Sequence, residues 1–201
     1  MIRVDKVVVS GVFSLDGRDF DVDNNVWLVG DDDEVLVIDA PHDAAPIIDA
    51  IAGRRVTAIV LTHGHNDHVT AAVALRAATG APIWFNPADR MLWDSTHPDA
   101  APDEDLTAGA TFSVAGTTLT ALATPGHSPG STCLYAPDLG TVFTGDTLFS
   151  GGPGATGRSF SDHPTIVASI RSRLLTLPGD TVVRTGHGDD TTIAAEMSNI
   201  S

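Results

Sequence analysis

The chain has a single cysteine, Cys133, so no intrachain disulfide can form and a fold held together by bridges is excluded. Lysine is equally scarce, with Lys6 alone, and 11 basic residues face 26 acidic ones for a formal net charge of −15. A surface of that sign argues against nucleic acid as a partner, because phosphate contacts need a basic face. It also argues against an anionic membrane. No apolar run reaches the roughly 20 residues that span a bilayer. Met1–Lys6 leads straight into a strand-like pattern with no basic n-region and apolar h-region, so no secretory signal is expected. With the lone cysteine, this reads as cytoplasmic. Poor in lysine and rich in Arg, Ala, Asp and Gly, the composition also hints at a GC-rich genome.

At 201 residues the chain is long enough for a real core and is expected to form one domain over 1–201. Val4–Val9, Asn25–Val29, Glu34–Ile38 and Val56–Leu61 read as strands, and Ala44–Ala52 and Asp67–Thr79 as helices closed by Gly53 and Gly80. Ile83–Phe85 is a short strand, Pro87–Trp93 a helix and Asp94–Asp105 a loop. Thr111–Val114, Thr117–Thr124, Thr132–Tyr135 and Val142–Thr144 are β-like, and Cys133 reads as a small buried hydrophobe in one of them. Thr165–Leu177 is an amphipathic helix, Thr181–Arg184 a last strand and Thr191–Met197 a last helix. That order predicts an α/β architecture, sheets with helices outside them.

Of eight histidines, His63, His65 and His68 fall in one six-residue window with Asp67, just past a strand read as buried on both faces. Loops at strand ends are where such folds place reactive groups. His63 and His65, two apart in extended backbone, point the same way. Asp67 and His68 open the next helix and project from another direction, so one loop can feed two adjacent metal ions. Three further ligands sit at strand ends beside glycine: His127 in Thr124–Ser128, Asp146 in Thr144–Thr147 and His187 in Thr185–Gly188. Asp146, with two oxygens, suits a shared position. Imidazole and carboxylate without thiolate fit zinc first, with iron and manganese as alternatives. His42, His97 and His163 read as structural or exposed.

His63-x-His65-x-Asp67-His68, followed by His127, Asp146 and His187, resembles the metallo-β-lactamase superfamily. Thr124–Ser131 and Thr144–Phe149 are similar to the glyoxalase II-like hydrolases within it, and Val37-Ile38-Asp39 resembles the family's early strand ending in Asp. The resemblance spans nearly the whole chain. It implies an αββα sandwich of two mixed sheets with the metals at one sheet edge. It also implies that His63, His65 and His127 hold the first ion, Asp67, His68 and His187 the second, and that Asp146 bridges. Asp39 would orient the ligands. Full-length glyoxalase II has a C-terminal helical extension that helps bind glutathione. The chain stops soon after His187, so the thiol carrier is expected to be held by its own loops. β-Lactamases of this fold usually have cysteine where Asp146 stands, which counts against antibiotics as substrates.

The implied reaction is hydrolysis of a small thioester. Two ions about 3.5–4 Å apart can share a hydroxide at neutral pH and polarise a carbonyl, with Asp67 and Asp146 as the catalytic carboxylates. A thiol of pKa about 8.5 leaves without a dedicated acid. The Gly-rich segment Ser150–Pro164 is longer than in relatives and resembles a mycothiol-linked actinobacterial subgroup that includes hydrolysis of S-formylmycothiol. Within it Arg158 would grip a substrate carboxylate or phosphate. Trp84, Met91 and Trp93 are candidates for the pocket wall, with core packing favoured for two of them. Two rivals remain: a persulfide dioxygenase with one Fe(II) on His63, His127 and Asp146, and a metal-stabilised binding module without turnover.

Overall fold

A computed structural model of the chain describes residues 1–200. Six strands form a first sheet in sequence order: β1 (Arg3–Leu15), β2 (Arg18–Gly30), β3 (Glu34–Ile38), β4 (Arg55–Val60), β5 (Ile83–Phe85) and β6 (Glu104–Asp105). β1 to β3 are antiparallel, and β3 to β6 are parallel. Parallel neighbours need crossovers, and helices supply them. They are α1 (Ala44–Ile51), α2 (Asn66–Val69) with α3 (Ala72–Thr79), and α4 (Arg90–Thr96).

The second sheet runs from β7 (Thr111–Val114) through β8 (Thr117–Ala123) and β9 (Thr132–Ala136) to β10 (Thr141–Gly145). A small hairpin of β11 (Leu148–Phe149) and β12 (Gly152–Pro153) follows, then α5 (His163–Ser169), which continues as a π-helical stretch over Ile170–Leu174. β13 (Val182–Thr185) returns parallel to β10, and β14 (Thr191–Thr192) and α6 (Ile193–Glu196) complete the layer.

Side-chain alternation in the central strands explains the layering. Val26, Leu28, Val35, Val37, Ile59 and Leu61 face one way, into a core shared with α1 and α3. Trp27, Val29, Leu36, Ile38, Ala58 and Val60 face the other way, into a core shared with Phe112, Leu119, Leu134 and Phe143 of the second sheet. A third core lies between that sheet and the helix from His163, through Ile166, Ile170, Leu174 and Val183. Both faces of the middle strands are therefore dry, and their sequence is a nearly unbroken apolar run for that reason. The result is the α/β, αββα sandwich of two mixed sheets that the sequence implied.

Several boundaries differ from the sequence reading. β1 and β2 are 13 residues each, and their outer halves form a ladder from Gly11–Val22 to Leu15–Arg18. The sequence reading missed that ladder, although Phe20 and Val22 alternate with Asp19, Asp21 and Asp23. Its turn is Asp16-Gly17, with φ of 54° and 72°, both positive as a two-residue hairpin of the Asp-Gly type demands. The helix expected over Asp67–Thr79 is two helices. Ala71 N–H donates to Ala40 O, and His68 O accepts from Ala40 N–H, so the chain beyond β3 interrupts the helical ladder. The helix expected over Pro87–Trp93 is a 3₁₀ turn at Pro87–Asp89 followed by α4, which reaches Thr96. The helix expected from Thr165 begins at His163, because Asp162 caps it by accepting from Thr165 N–H.

Candidate metal centre

Parallel pairing of β3 and β4 puts Asp39 beside Thr62. Asp39 has φ of 64°, a left-handed conformation that turns its carboxylate into the protein. Oδ1 accepts from Thr62 N–H at 2.7 Å, and Oδ2 accepts from Thr62 Oγ1–H at 2.8 Å and from His68 Nδ1–H at 2.8 Å. Thr62 Oγ1, having donated its proton to Asp39, is left to accept from His63 Nδ1–H at 3.1 Å. One buried carboxylate thus sets the orientation of two imidazoles and turns their Nε2 atoms the other way. The orienting role expected of Asp39 rests on these contacts.

Two more histidines are held in the same fashion. His127 Nδ1 pairs with Ala155 O at 2.9 Å, and His187 Nδ1 with Asp23 O at 2.8 Å. The far nitrogens converge. His63, His65 and His127 offer donor atoms within 4.8 Å of one another, and so do Asp67, His68 and His187. Asp146 belongs to a third such group with His63 and His68. Its Oδ1 lies 3.3 Å from His68 Nε2 and its Oδ2 3.6 Å from His127 Nε2, so one carboxylate reaches both sets. Close backbone makes this possible. Gly145 has φ of 48°, and a Cβ there would meet Thr62 Oγ1 at 2.5 Å. A Cβ at Gly186 would meet Asp146 Oδ1 at 2.2 Å.

His63 Nε2, His65 Nε2, Asp67 Oδ1 and Asp146 Oδ1 are buried without a hydrogen-bond partner among the described residues. Orphaned donors and acceptors in one buried place are costly. His65 Nδ1 also sits 3.0 Å from His127 Nε2. A cation between such groups would satisfy the orphaned atoms, so the donor set fits a pair of divalent ions, and nitrogen with carboxylate oxygen suits zinc, iron or manganese.

The charge pattern agrees. Burial, with the neighbouring charge of His68, holds His63 well below the ordinary imidazole pKa. Burial, with His127 beside it, lowers His65 to about 3. Burial also opposes charge on His187, but Asp146 and Asp67 outweigh it and raise the group to about 10. His68 is likewise raised well above 6.5 against burial, by Asp146, Asp67 and Asp39. Asp146 is held well below the usual carboxylate range: burial opposes its charge, but His68 and His187 outweigh it. Without metal, protons on His68 and His187 neutralise the two carboxylates.

Three residues absent from the sequence reading also shape the site. Asn66, inside the histidine motif, accepts from Ser14 N–H and donates to Val12 O, which ties the β1–β2 hairpin to the metal loop. Asp89 is fully buried and accepts from Gly64 N–H, Gly130 N–H and Ser128 Oγ–H at 2.6–2.8 Å. It thereby joins the loop of His63 and His65 to the loop of His127. Asn24, in β2, lies against Asp67, His68 and His187. No local motif marks Asn24 or Asp89, and Asn66 sits within the histidine motif at a position read only as a spacer.

The hairpin and the loop after Asp146 enclose a cavity of about 540 Å³ over the metal residues, walled by Phe13, Phe20, Phe149 and Val22. Arg158 lines it, with its guanidinium 4.3 Å from the centre of the Phe20 ring and 5.4 Å from that of Phe13. None of Trp84, Met91 and Trp93 lines the cavity, and two of the three pack in the cores, as favoured from the sequence. Trp93 is fully buried in the first core, Trp84 packs edge-on to Phe112, and Met91 is exposed. The cavity lies at the hairpin instead, because Asn66 pulls β1 over the histidines. His97 Nε2–H donates to Val69 O and its ring packs on Trp93, and His163 is exposed at the start of α5. His42, read as structural or exposed, meets Asn24 at 2.8 Å.

Comparison with known proteins fits this architecture. The chain is 34% identical over 188 residues to the hydroxyacylglutathione hydrolase GloC of Haemophilus influenzae, spanning 86% of this chain and 89% of that protein. Among solved structures it resembles BLEG-1, a B3 metallo-beta-lactamase, at TM-score 0.81 and 29% identity, covering 96% of this chain and 98% of that one. It also resembles TTHA1623 in a di-iron-bound form at TM-score 0.79 and 31% identity, covering 89% and 94%. The profile of the metallo-beta-lactamase superfamily matches residues 20–187, from the hairpin arm through the last metal-facing histidine, and the chain belongs to that superfamily.

Proposed function

We propose that the chain is a binuclear metal-dependent hydrolase that cleaves the thioester of a small thiol carrier. The observation that carries this reading is Asp146, whose two oxygens reach both donor sets, so that two ions would share one carboxylate. His63, His65 and His127 would hold one ion, and Asp67, His68 and His187 the other. Bound there, divalent cations supply Lewis acidity, polarising a carbonyl and making water nucleophilic near neutral pH.

The chain's own residues do the rest. Asp67 and Asp146 face the space above the histidines and would accept a proton from attacking water. Phe13 packs edge-on to His65 at 5.2 Å and keeps bulk water from that side. No lysine or tyrosine lines the cavity to protonate a leaving group, which suits a thiolate better than an amine. Stacked on Phe20, the guanidinium of Arg158 keeps its N–H edges for an anionic group of the substrate. The similarity to a hydroxyacylglutathione hydrolase of comparable length supports the thioester class. For the carrier we favour mycothiol, on the resemblance of Ser150–Pro164, over glutathione. Zinc is the first candidate metal, and the di-iron form of a solved relative keeps iron beside it. Cytoplasmic placement, a single domain over 1–201 and indifference to nucleic acid belong to the same reading. No helix among the described residues is long and apolar enough to cross a membrane.

The test is a panel of acyl thioesters of several thiols, with a β-lactam as control, on metal-loaded and chelator-stripped protein. Two metals per chain and oxygen-independent thioester cleavage, lost on stripping, are expected. One iron per chain with oxygen uptake on a persulfide would establish the dioxygenase instead. No turnover with any substrate, with two metals bound, would favour the binding module.

A further inference from the structure

Three oddities of sequence meet at one point beside the centre. Asn24 is a fully buried amide in a strand. His42 is a non-glycine residue at φ of 49°, a conformation that persists only where surrounding contacts hold it. Gly11 lies mid-strand in β1, where a side chain would ordinarily pack. A Cβ at Gly11 would stand 2.3 Å from His42 Cγ and Nδ1, so the glycine makes room for the imidazole. Seated there, His42 Nε2 lies 2.8 Å from Asn24 Oδ1, and Asn24 Nδ2 donates to Asp67 Oδ2 at 3.2 Å.

The direction of this chain follows from its ends. Asp67 Oδ2 is a carboxylate oxygen and accepts, so the Asn24 group facing it is the NH₂. The opposite amide orientation would set two oxygens against each other. Asn24 Oδ1 then faces His42, which must carry its proton on Nε2. Asp67 is held through one oxygen, while its Oδ1 is buried without a partner.

We propose that Gly11, His42 and Asn24 are positioning residues for the second ion: the imidazole seated on Gly11 fixes the Asn24 amide, and the amide fixes the rotation of Asp67. This rests on the two-metal reading and adds to it that retention of one ion, and not the other, depends on a histidine that ligates neither. Outer partners of metal ligands of this kind typically change affinity about 10–100-fold.

Two variants and one measurement on the unaltered chain test it. His42→Asn tolerates the left-handed backbone but is too short to reach Asn24. Gly11→Ala leaves residue 42 unchanged and pushes its ring out of place. Zinc titration against a chromophoric chelator should show two sites in the wild type. In both variants the second site should weaken about 10-fold or more and the first should keep its affinity, with the circular dichroism spectrum of stripped protein unchanged. Equal weakening of both sites, or of neither, overturns the proposal. If the wild type takes up fewer than two ions, the two-metal reading fails instead. The remaining arm needs neither metal nor variant. Long-range ¹H–¹⁵N correlation spectra of stripped protein should show His42 as the Nε2–H tautomer. The Nδ1–H tautomer would mean a reversed amide and would overturn the positioning role.

Discussion

At the residue scale, two buried carboxylates do different work from the seven metal-facing side chains. Asp39 holds Thr62 and His68 together, and its positive φ is one that asparagine adopts as readily. Asp39→Asn therefore changes the acceptor and spares the backbone. An amide has one acceptor oxygen where the carboxylate has two, so either Thr62 or His68 loses its partner. The expected result is about 10–100-fold weaker metal binding with the fold intact, read by chelator competition and circular dichroism. Asp89 is a stability device. Asp89→Ala strands two buried backbone N–H groups and leaves the Ser128 hydroxyl with Ser131 alone. Hydrogen bonds to charged groups contribute about 1.5–3 kcal/mol each and are not additive, so a loss of roughly 3 kcal/mol or more is expected in urea unfolding. A midpoint unchanged with an unchanged slope would show that the loops of His63 and His127 are held otherwise.

At the element scale, the β1–β2 hairpin makes a pocket out of a flat sheet edge. Phe20 carries Arg158 on its face, and Ser159 N–H donates to Asp16 at the hairpin turn, so strand tip and Gly-rich loop close the cavity from opposite sides. Truncating Phe20 to Ala frees Arg158 from its platform, a contact of about 0.5–1 kcal/mol at a half-exposed site. KM for an anionic thioester should rise about 2–5-fold while kcat changes little, as expected when binding alone is lost. A fall in kcat at constant KM would place the hairpin in the chemistry instead. This element also shows where sequence reading stops. The central strands were legible because both faces are buried, and the candidate ligands stood out because His63, His65, His127, Asp146 and His187 follow strands beside glycine, with Asp67 and His68 opening the next helix. The hairpin's outer half has no fully buried face, and its signals, Asp16-Gly17 and the alternation of Phe20 and Val22 with aspartates, are short and went unread. Asn24 and Asp89 act on loops about 40 residues away in the chain. Their roles arise from tertiary approach, which no local pattern encodes. The break between α2 and α3 has the same origin, because the backbone of Ala40, in the loop after β3, causes it.

At the scale of the whole molecule, an acidic chain of formal charge −15 folds around a site where protons and metal compete for the same carboxylates. In stripped protein His187 is raised from 6.5 to about 10, and His68 is raised as well. A raised imidazole contributes stability that is fully present below its unfolded pKa and is lost as pH rises through the folded one. Asp146 and Asp67 are lowered from 3.8, so their contribution is present above that value and is lost only as pH falls through their depressed folded values. His63 and His65, held well below 6.5, cost stability as pH falls below that value, so the site of the stripped protein is most stabilising near pH 6.5, and it weakens toward pH 10 as His68 and His187 give up their protons. Metal ions do not titrate away, and binding them expels those protons. The difference in melting temperature between loaded and stripped protein should therefore widen steadily from about pH 6.5 to about pH 10, with zinc affinity rising over the same range. Melting curves at several pH values, with and without chelator, read this directly. A difference that stays constant would mean that His68 and His187 are already neutral in the stripped protein, and that Asp67 and Asp146 are held by something other than their protons.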